Sequence, residues 1–213
     1  MRPLTDTTPK PLLKAAGKTL LEHKLDILPA EIDEVILIVG YLGQQIVDFF
    51  GSTYKGKKLS YVWQEKVEGT GKAVALAKQY VQDGPFLVLM GDDIYDKEDL
   101  QNIIQHPWAV MVKEIDANER GDIRGGLVFL DEQSHLKEVR EGIHHQAKGL
   151  LNIGAYVLSP EFFSYPFVKL EGREEYGLPQ TLVLAAKDHP ISILVSKNWI
   201  SITTPQDLDT YKL

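Results

Sequence analysis

The stretch Phe86-Leu87-Val88-Leu89-Met90-Gly91-Asp92-Asp93 constrains this chain more than any other: an unbroken apolar run stops at a glycine and two carboxylates. A short apolar run without alternation predicts a strand buried on both faces, as in the middle of a parallel sheet covered by helices. In open α/β sheets ligands collect at the carboxyl ends of the strands. There Gly91 lets backbone and ligand approach closely, and Asp92 presents oxygens suited to Mg²⁺. On this stretch alone, an aspartate that merely caps the following turn or helix is an equal reading.

With 213 residues, 44% hydrophobic and 25% charged, the chain can bury a sizeable core. No Ser/Gly-rich or Pro-rich linker divides it, so a single domain over 1–213 is expected. No apolar run approaches bilayer length, and Met1-Arg2-Pro3-Leu4-Thr5-Asp6 lacks the apolar core of a secretory signal, which makes the cytoplasm the expected compartment. The absence of cysteine removes disulfides, thiolate catalysis and cysteine-based zinc sites together. None of the six histidines forms the i, i+4 pair that binds zinc from a helix. A net charge of −7 argues against nucleic acid as a partner, though not against a small phosphate ligand held by a few local cations.

Residues 1 to 14 carry Pro3, Pro9 and Pro11, which fix φ and remove backbone donors, so a restrained loop is expected, with Lys10 on a pre-set backbone. Thr19-Leu20-Leu21-Glu22 has capping-box spacing, and Leu20, Leu21, Leu25 and Leu28 share a helical face, predicting a helix over about 19–28. Val35 to Gly40 reads as a second fully apolar strand, Gln44 to Phe50 as a helix and Leu59 to Trp63 as a strand, an order that implies a right-handed crossover and parallel pairing. Helices are expected at Ala73 to Gln82, Lys97 to Gln105 and Leu178 to Lys187, with another starting near Pro205. Strands are expected at Trp108 to Ile115, Gly126 to Leu130, Leu136 to Arg140, Leu150 to Leu158 and Ile191 to Val195. Polar loops at Asp116 to Arg124 and Glu141 to Gly149 complete an antiparallel or mixed extension beside the parallel core.

Gly69-Thr70-Gly71-Lys72 is not a phosphate loop of the GxxxxGK[ST] kind, because position 66 is Lys rather than Gly and Ala73 stands where the magnesium-binding hydroxyl belongs. What survives is a glycine-rich turn at a helix start, where free N–H groups favour anionic or carbonyl ligands; a plain helix entry is as good a reading of these residues.

Taken together, Arg2-Pro3-Leu4-Thr5 with Pro9-Lys10-Pro11-Leu12, Gln64 with Gly69-Thr70-Gly71, Met90-Gly91-Asp92, Asn152-Ile153-Gly154-Ala155-Tyr156, and Trp199 with Thr204-Pro205-Gln206-Asp207-Leu208 resemble, in order, the sugar nucleotidylyltransferases, the sugar-1-phosphate pyrophosphorylases. The resemblance implies a Rossmann-like three-layer α/β/α fold with a mostly parallel mixed central sheet and a small antiparallel extension. It also implies a nucleotide half over about 1–115 and a sugar-phosphate half over about 116–213. By that likeness Lys10 contacts phosphate, Gln64, Gly69 and Thr70 belong to the nucleotide site, Asp92 holds Mg²⁺, and Gly126, Glu141 and Asn152 face the sugar-1-phosphate. The implied partners are a nucleoside triphosphate and a sugar-1-phosphate, with no membrane; a homo-oligomer is compatible with the resemblance.

Three departures qualify what the likeness implies. The strand and glycine-rich, arginine-ended loop that open the family would lie upstream of Met1. Their loss would leave the strands of Val35–Val39 and Phe86–Met90 each with an unpaired edge. The expectation is that the sequence begins inside a longer protein; the alternative is that another segment fills the gap, as one swapped in from a partner chain would. Ser201 stands where many relatives place a second metal-binding aspartate, and Gly142 where they often carry a lysine for the sugar phosphate; Lys148 is a candidate replacement, second to its reading as a solvated loop lysine. Two alternatives to the sugar-1-phosphate reaction stay open: a non-catalytic homologue that binds a nucleotide or nucleotide sugar, and transfer to another phosphorylated alcohol such as phosphocholine.

Overall fold

The computed structural model describes residues 1–81, 83–116, 123–145 and 148–211. Their contacts gather into two compact units, one of residues 1–66, 90–101 and 198–213, the other of 67–89 and 102–197. No helix among the described residues is long and apolar enough to cross a membrane.

In the first unit the proline-rich opening forms two single 3₁₀ turns, Leu4–Asp6 and Lys10–Leu12, and a small hairpin pairs Lys14–Ala15 with Lys18–Thr19. Thr19 then starts the helix Leu20–Ile27 through the expected capping box. Its hydroxyl accepts from the Glu22 N–H at 3.1 Å, and the Glu22 carboxylate accepts from the Thr19 N–H at 2.8 Å. The helix serves two cores. Leu20 packs with Leu13, Ala15, Ile94, Ile202 and Leu208, while Leu21 and Leu25 pack with Val39, Ile46, Phe50 and Leu59. Strand Glu34–Val39 runs parallel to Lys57–Trp63 across the helix Gly43–Phe50, as the strand-helix-strand order requires. A two-stranded ribbon joins Asp93–Tyr95 to Trp199–Ser201, with Asp93 opposite Ser201.

In the second unit the sheet order is Leu136–His144, Ile123–Leu130, Lys148–Leu158, Ala109–Asp116 and Ser192–Val195, with Phe86–Leu89 also paired to Lys148–Leu158. Ala109 to Val112 and Ile153 to Leu158 are buried through the middle of this sheet, and Phe162, Leu178, Leu182 and Ala185 are buried with them.

Several expectations are corrected here. The strand Phe86–Leu89 is antiparallel, registering Leu89 with Ala155 and Phe86 with Leu158, and it is half-buried with no strand on its other edge among the described residues. Hydrophobic continuity reports burial, not direction, so the run could not tell a parallel from an antiparallel neighbour. Glu34–Val39 likewise pairs on one edge alone among the described residues, the unpaired state expected for these two strands. The helix expected over 73–82 is Thr70–Ala75 followed by a 3₁₀ turn, Lys78–Tyr80; Gln82 lies outside the described residues. The loop expected over 141–149 is mostly sheet: one strand continues to His144 and the next begins at Lys148, with 146–147 outside the described residues. A polar composition hid these strand ends because one face of each is open to solvent. Of the loop expected over 116–124, residues 117–122 lie outside the described residues.

The last turn of Leu20–Ile27 carries Asp26, an unfavourable place for a carboxylate in the helix field. Local cations compensate: Lys18 and Lys55 each reach it at 2.5 Å, and the Tyr54 hydroxyl donates to it at 2.9 Å. Partial burial pushes the carboxyl up, but these three hydrogen bonds win and hold it down to about 2. A depressed carboxylate stabilises the fold above its unfolded value near 4 and loses that contribution as pH falls towards 2. Asp26→Asn is therefore expected to cost about 1–2 kcal/mol at pH 7, discounted for the solvent around both lysines, with thermal melts of the two proteins converging as pH drops from 5 to 2.

Candidate functional site

Pro9 and Pro11 flank Lys10, and the Lys10–Leu12 turn is closed by Pro9 O accepting from Leu12 N–H at 2.8 Å, so the lysine leaves a backbone with little freedom. Its ammonium meets the Asp92 carboxylate at 2.7 Å, joining residues 82 positions apart. The Asp92 side chain remains nearly half exposed, and Gly91 before it has nothing within 4 Å of where a Cβ would stand. This is an open, charged end of a turn rather than a capping arrangement.

Two further groups stand behind it. Lys24, on the same helical face as Leu20, is 6% exposed and donates to the Met90 carbonyl. Burial pulls its ammonium down to about 8 against the charges of Asp93 and Asp92, which hold it up. Asp93 is 8% exposed; burial first, and the charge of Asp92 second, push its carboxyl up to about 6, while a hydrogen bond with Ser201 and the charges of Lys24 and Lys10 oppose the rise. Sequence reasoning passed over both. The available signals were a lysine interrupting the apolar face of an amphipathic helix and a second carboxylate directly after Asp92.

Gln64 sits just past Lys57–Trp63, its N–H donating to Val39 O at 2.8 Å, and its side-chain amide has no partner among the described residues. In the second unit, Gly69 adopts φ +90 and packs so closely that a Cβ would stand 2.6 Å from Tyr176 O. Thr70 accepts from the Leu178 N–H at 3.1 Å, which gives its hydroxyl a structural task. Gly126 and Glu141 face each other in register on adjacent strands, and the carboxylate lies over the glycine, 2.7 Å from the position of a Cβ. Asn152 pins an irregularity in its own strand, donating to the Tyr156 hydroxyl at 2.7 Å and accepting from Gly154 N–H at 3.1 Å. Lys148 lies 4.0 Å from Asp116.

No group of three or more His, Cys, Asp or Glu side chains among the described residues could cage a metal ion. The donor set at Asp92 fits a different demand. Mg²⁺ keeps several waters and is held by one or two carboxylates together with substrate phosphates, and Asp92 is exposed enough to supply one.

A family model described as nucleotidyl transferase matches residues 1–208. The bifunctional protein GlmU of Methanocaldococcus jannaschii is 32% identical over 98% of this chain and 49% of its own length. The chain thus spans about half the length of this relative. The UTP–glucose-1-phosphate uridylyltransferase AglF of Haloferax volcanii is 24% identical, over 98% of this chain and 88% of its own. Among solved structures, a UDP-glucose pyrophosphorylase complexed with UDP-glucose superposes with a TM-score of 0.74 at 19% identity, over 92% of this chain and 86% of that one. That likeness shows the Rossmann-like α/β fold.

Asp93 gives the charge cluster a measurable signature. A raised carboxyl stabilises the fold while protonated, so its contribution is greatest below pH 4 and is lost as pH rises through 6. Asp92, Lys24 and Lys10 are the charges facing it, and all remain in Asp93→Asn. Relative to that variant, the wild type is expected to gain roughly 2–3 kcal/mol on acidification from pH 7 to pH 4, read from melts across that range.

Proposed function

This chain belongs to the nucleotidyl transferase family, and we propose that it transfers a nucleotidyl group from a nucleoside triphosphate to a sugar-1-phosphate, giving a nucleotide sugar and pyrophosphate. The observation that carries the reading is the meeting of Lys10 with Asp92 at an exposed turn. An oxygen of the sugar phosphate attacks the α-phosphorus in line, the bond to the β-phosphate oxygen breaks, and negative charge spreads over the α-phosphoryl oxygens. Lys10 supplies a positive charge there by exchanging the Asp92 carboxylate for a phosphoryl oxygen. Asp92, freed by that exchange, is the residue that would hold Mg²⁺. When bound, the ion neutralises phosphate charge during the transfer.

The remaining residues sort by what they have to spare. The uncommitted amide of Gln64 can read the edge of a nucleobase; in the second unit the close-packed turn at Gly69 carries main-chain groups, and Thr70 supports that turn through Leu178. Glu141 carries a carboxylate suited to sugar hydroxyls, above a glycine that leaves it room. Asn152 shapes the strand beside Leu151, which pairs with Leu127.

A pyrophosphate-release assay over a panel of nucleoside triphosphates and sugar-1-phosphates, with Mg²⁺ and the protein as its own gene encodes it, tests the reading. At least one pair is expected to turn over. Lys10→Ala is expected to lower kcat about ten- to a hundredfold, the worth of one charge-assisted contact of about 1.5–3 kcal/mol made in the transition state. Asp92→Asn is expected to lower it at least as far. Gly126→Ala, whose methyl group meets the Glu141 carboxylate, is expected to raise KM for the sugar phosphate several-fold and leave KM for the triphosphate unchanged. Absence of turnover with every pair would refute the proposal.

A further inference from the structure

A lysine on the buried face of a helix is costly, because taking an ammonium out of water forfeits hydration that its surroundings must restore. At Lys24 one restoring contact is specific. The ammonium donates to the main-chain carbonyl of Met90 and sits 5.5 Å from the centre of the Tyr95 ring. The N–H of the same Met90 donates to the Tyr95 hydroxyl at 3.3 Å. Met90 is therefore held through both its polar main-chain atoms, immediately before Gly91.

On the other side of the turn, Asp93 is tied into the ribbon opposite Ser201 and Asp92 O accepts from the Ile202 N–H at 3.3 Å. Gly91 lies between these anchors with open space around it and no side chain to restrict it. The direction of the Asp92 carboxylate then depends on how firmly Met90 is held.

We propose that Lys24 is a positioning residue for Asp92: its ammonium fixes the Met90 carbonyl, and with it the direction in which the turn presents the Asp92 carboxylate to Lys10 and to a divalent cation. The proposal rests on the reading of Asp92 as the cation-holding residue. Its sign separates it from simple electrostatics. If Lys24 acted only as a nearby positive charge, removing it would relieve repulsion and tighten binding of a cation at Asp92. If it positions the turn, removing it weakens that binding.

The test is Mn²⁺ affinity of the intact protein, read from loss of the free-ion paramagnetic resonance signal in the absence of substrates, alongside thermal melts and turnover. Lys24→Met keeps the unbranched apolar stem of the side chain, one atom shorter, and drops the charge and donors. It is expected to melt within a few degrees of the wild type, relief of a buried ammonium offsetting the donor lost to the Met90 carbonyl, while Mn²⁺ affinity falls about tenfold, the usual scale for a group that orients a ligand. Where the nucleotidyl transfer is measurable, kcat falls with it and KM for the sugar phosphate stays within about twofold. Tyr95→Phe, which removes the acceptor for the Met90 N–H with almost no change of volume, moves Mn²⁺ affinity the same way and keeps the proposal testable should Lys24→Met not fold. Unchanged or tighter Mn²⁺ binding in either folded variant overturns it, as does a wild type that binds no Mn²⁺. A protein that turns over no substrate pair yet loses Mn²⁺ affinity in these variants would sink the proposed function and leave the role of Lys24 standing.

Discussion

Two carboxylates in succession, Asp92 and Asp93, impose the constraint around which the first unit is arranged. Adjacent like charges repel, and one of these two is almost fully buried, so the turn is tolerable only if positive charge and hydrogen bonds are brought to it from elsewhere in the chain. They arrive from three directions. The proline-framed turn brings Lys10 to Asp92, the capped helix brings Lys24 to the carbonyl just before the pair, and the ribbon brings Ser201 to Asp93. None of these partners is near in sequence, so assembling the turn requires the fold of the unit as a whole. The unit's two cores serve the same end: Leu20 locks one side of the helix against Ile94 and Ile202, Leu21 and Leu25 lock another, and Lys24 is carried in between.

How much of this could be read from residues alone differs by physical scale. Some local signals held: Thr19 with Glu22 gave the helix start, and the order of the apolar strand at Val35–Val39, a helix and the alternating strand at Leu59–Trp63 gave a parallel pair. Lys10 and Asp92 were singled out by the family resemblance, the residues themselves leaving a solvated loop lysine and a capping aspartate open; the structure brings the two side chains together. What escaped was decided by tertiary pairing. The direction of Phe86–Leu89 depends on Lys148–Leu158, more than sixty positions away, and nothing within the run encodes it. Lys24 escaped because an amphipathic pattern is read by its leucines, so a lysine among them passes for a solvated neighbour; only the packed helix reveals that its ammonium is inside. Ser201 read as standing in the place of a metal-binding aspartate; the structure sets it opposite Asp93, with which it hydrogen-bonds.

The second unit handles its candidate residues by space rather than charge. At Gly126 and at Gly69 a side chain would collide, in one case with the Glu141 carboxylate and in the other with the main chain of Tyr176. Neither glycine is explained by flexibility alone. Each is a place where two segments come closer than a Cβ allows, and each thereby fixes a neighbour. Asn152 and Thr70 spend polar atoms on main-chain and tyrosine partners, so under the proposed function their part is chiefly the shape of the backbone they hold. Under the proposed function Glu141, with its side chain uncommitted among the described residues, is the group of this unit left to make a direct polar contact.

The two lysines near Asp92 divide their work by exposure. Lys10 retains access to solvent and pairs with a carboxylate that also retains it, so exchanging that partner for a phosphate oxygen replaces one charged acceptor with another and strands neither charge in an apolar medium. Lys24 has no such freedom, because moving its ammonium would leave a buried charge and a buried carbonyl both unpaired. A mobile cation suits charge that develops and departs during a reaction, and a fixed cation suits the backbone against which that motion is referenced. The same reasoning accounts for the asymmetry of the carboxylates. Asp92 is paired with the lysine that can leave, whereas Asp93 is held by the strand pairing, and only the first can be surrendered to an incoming ligand without unmaking the turn.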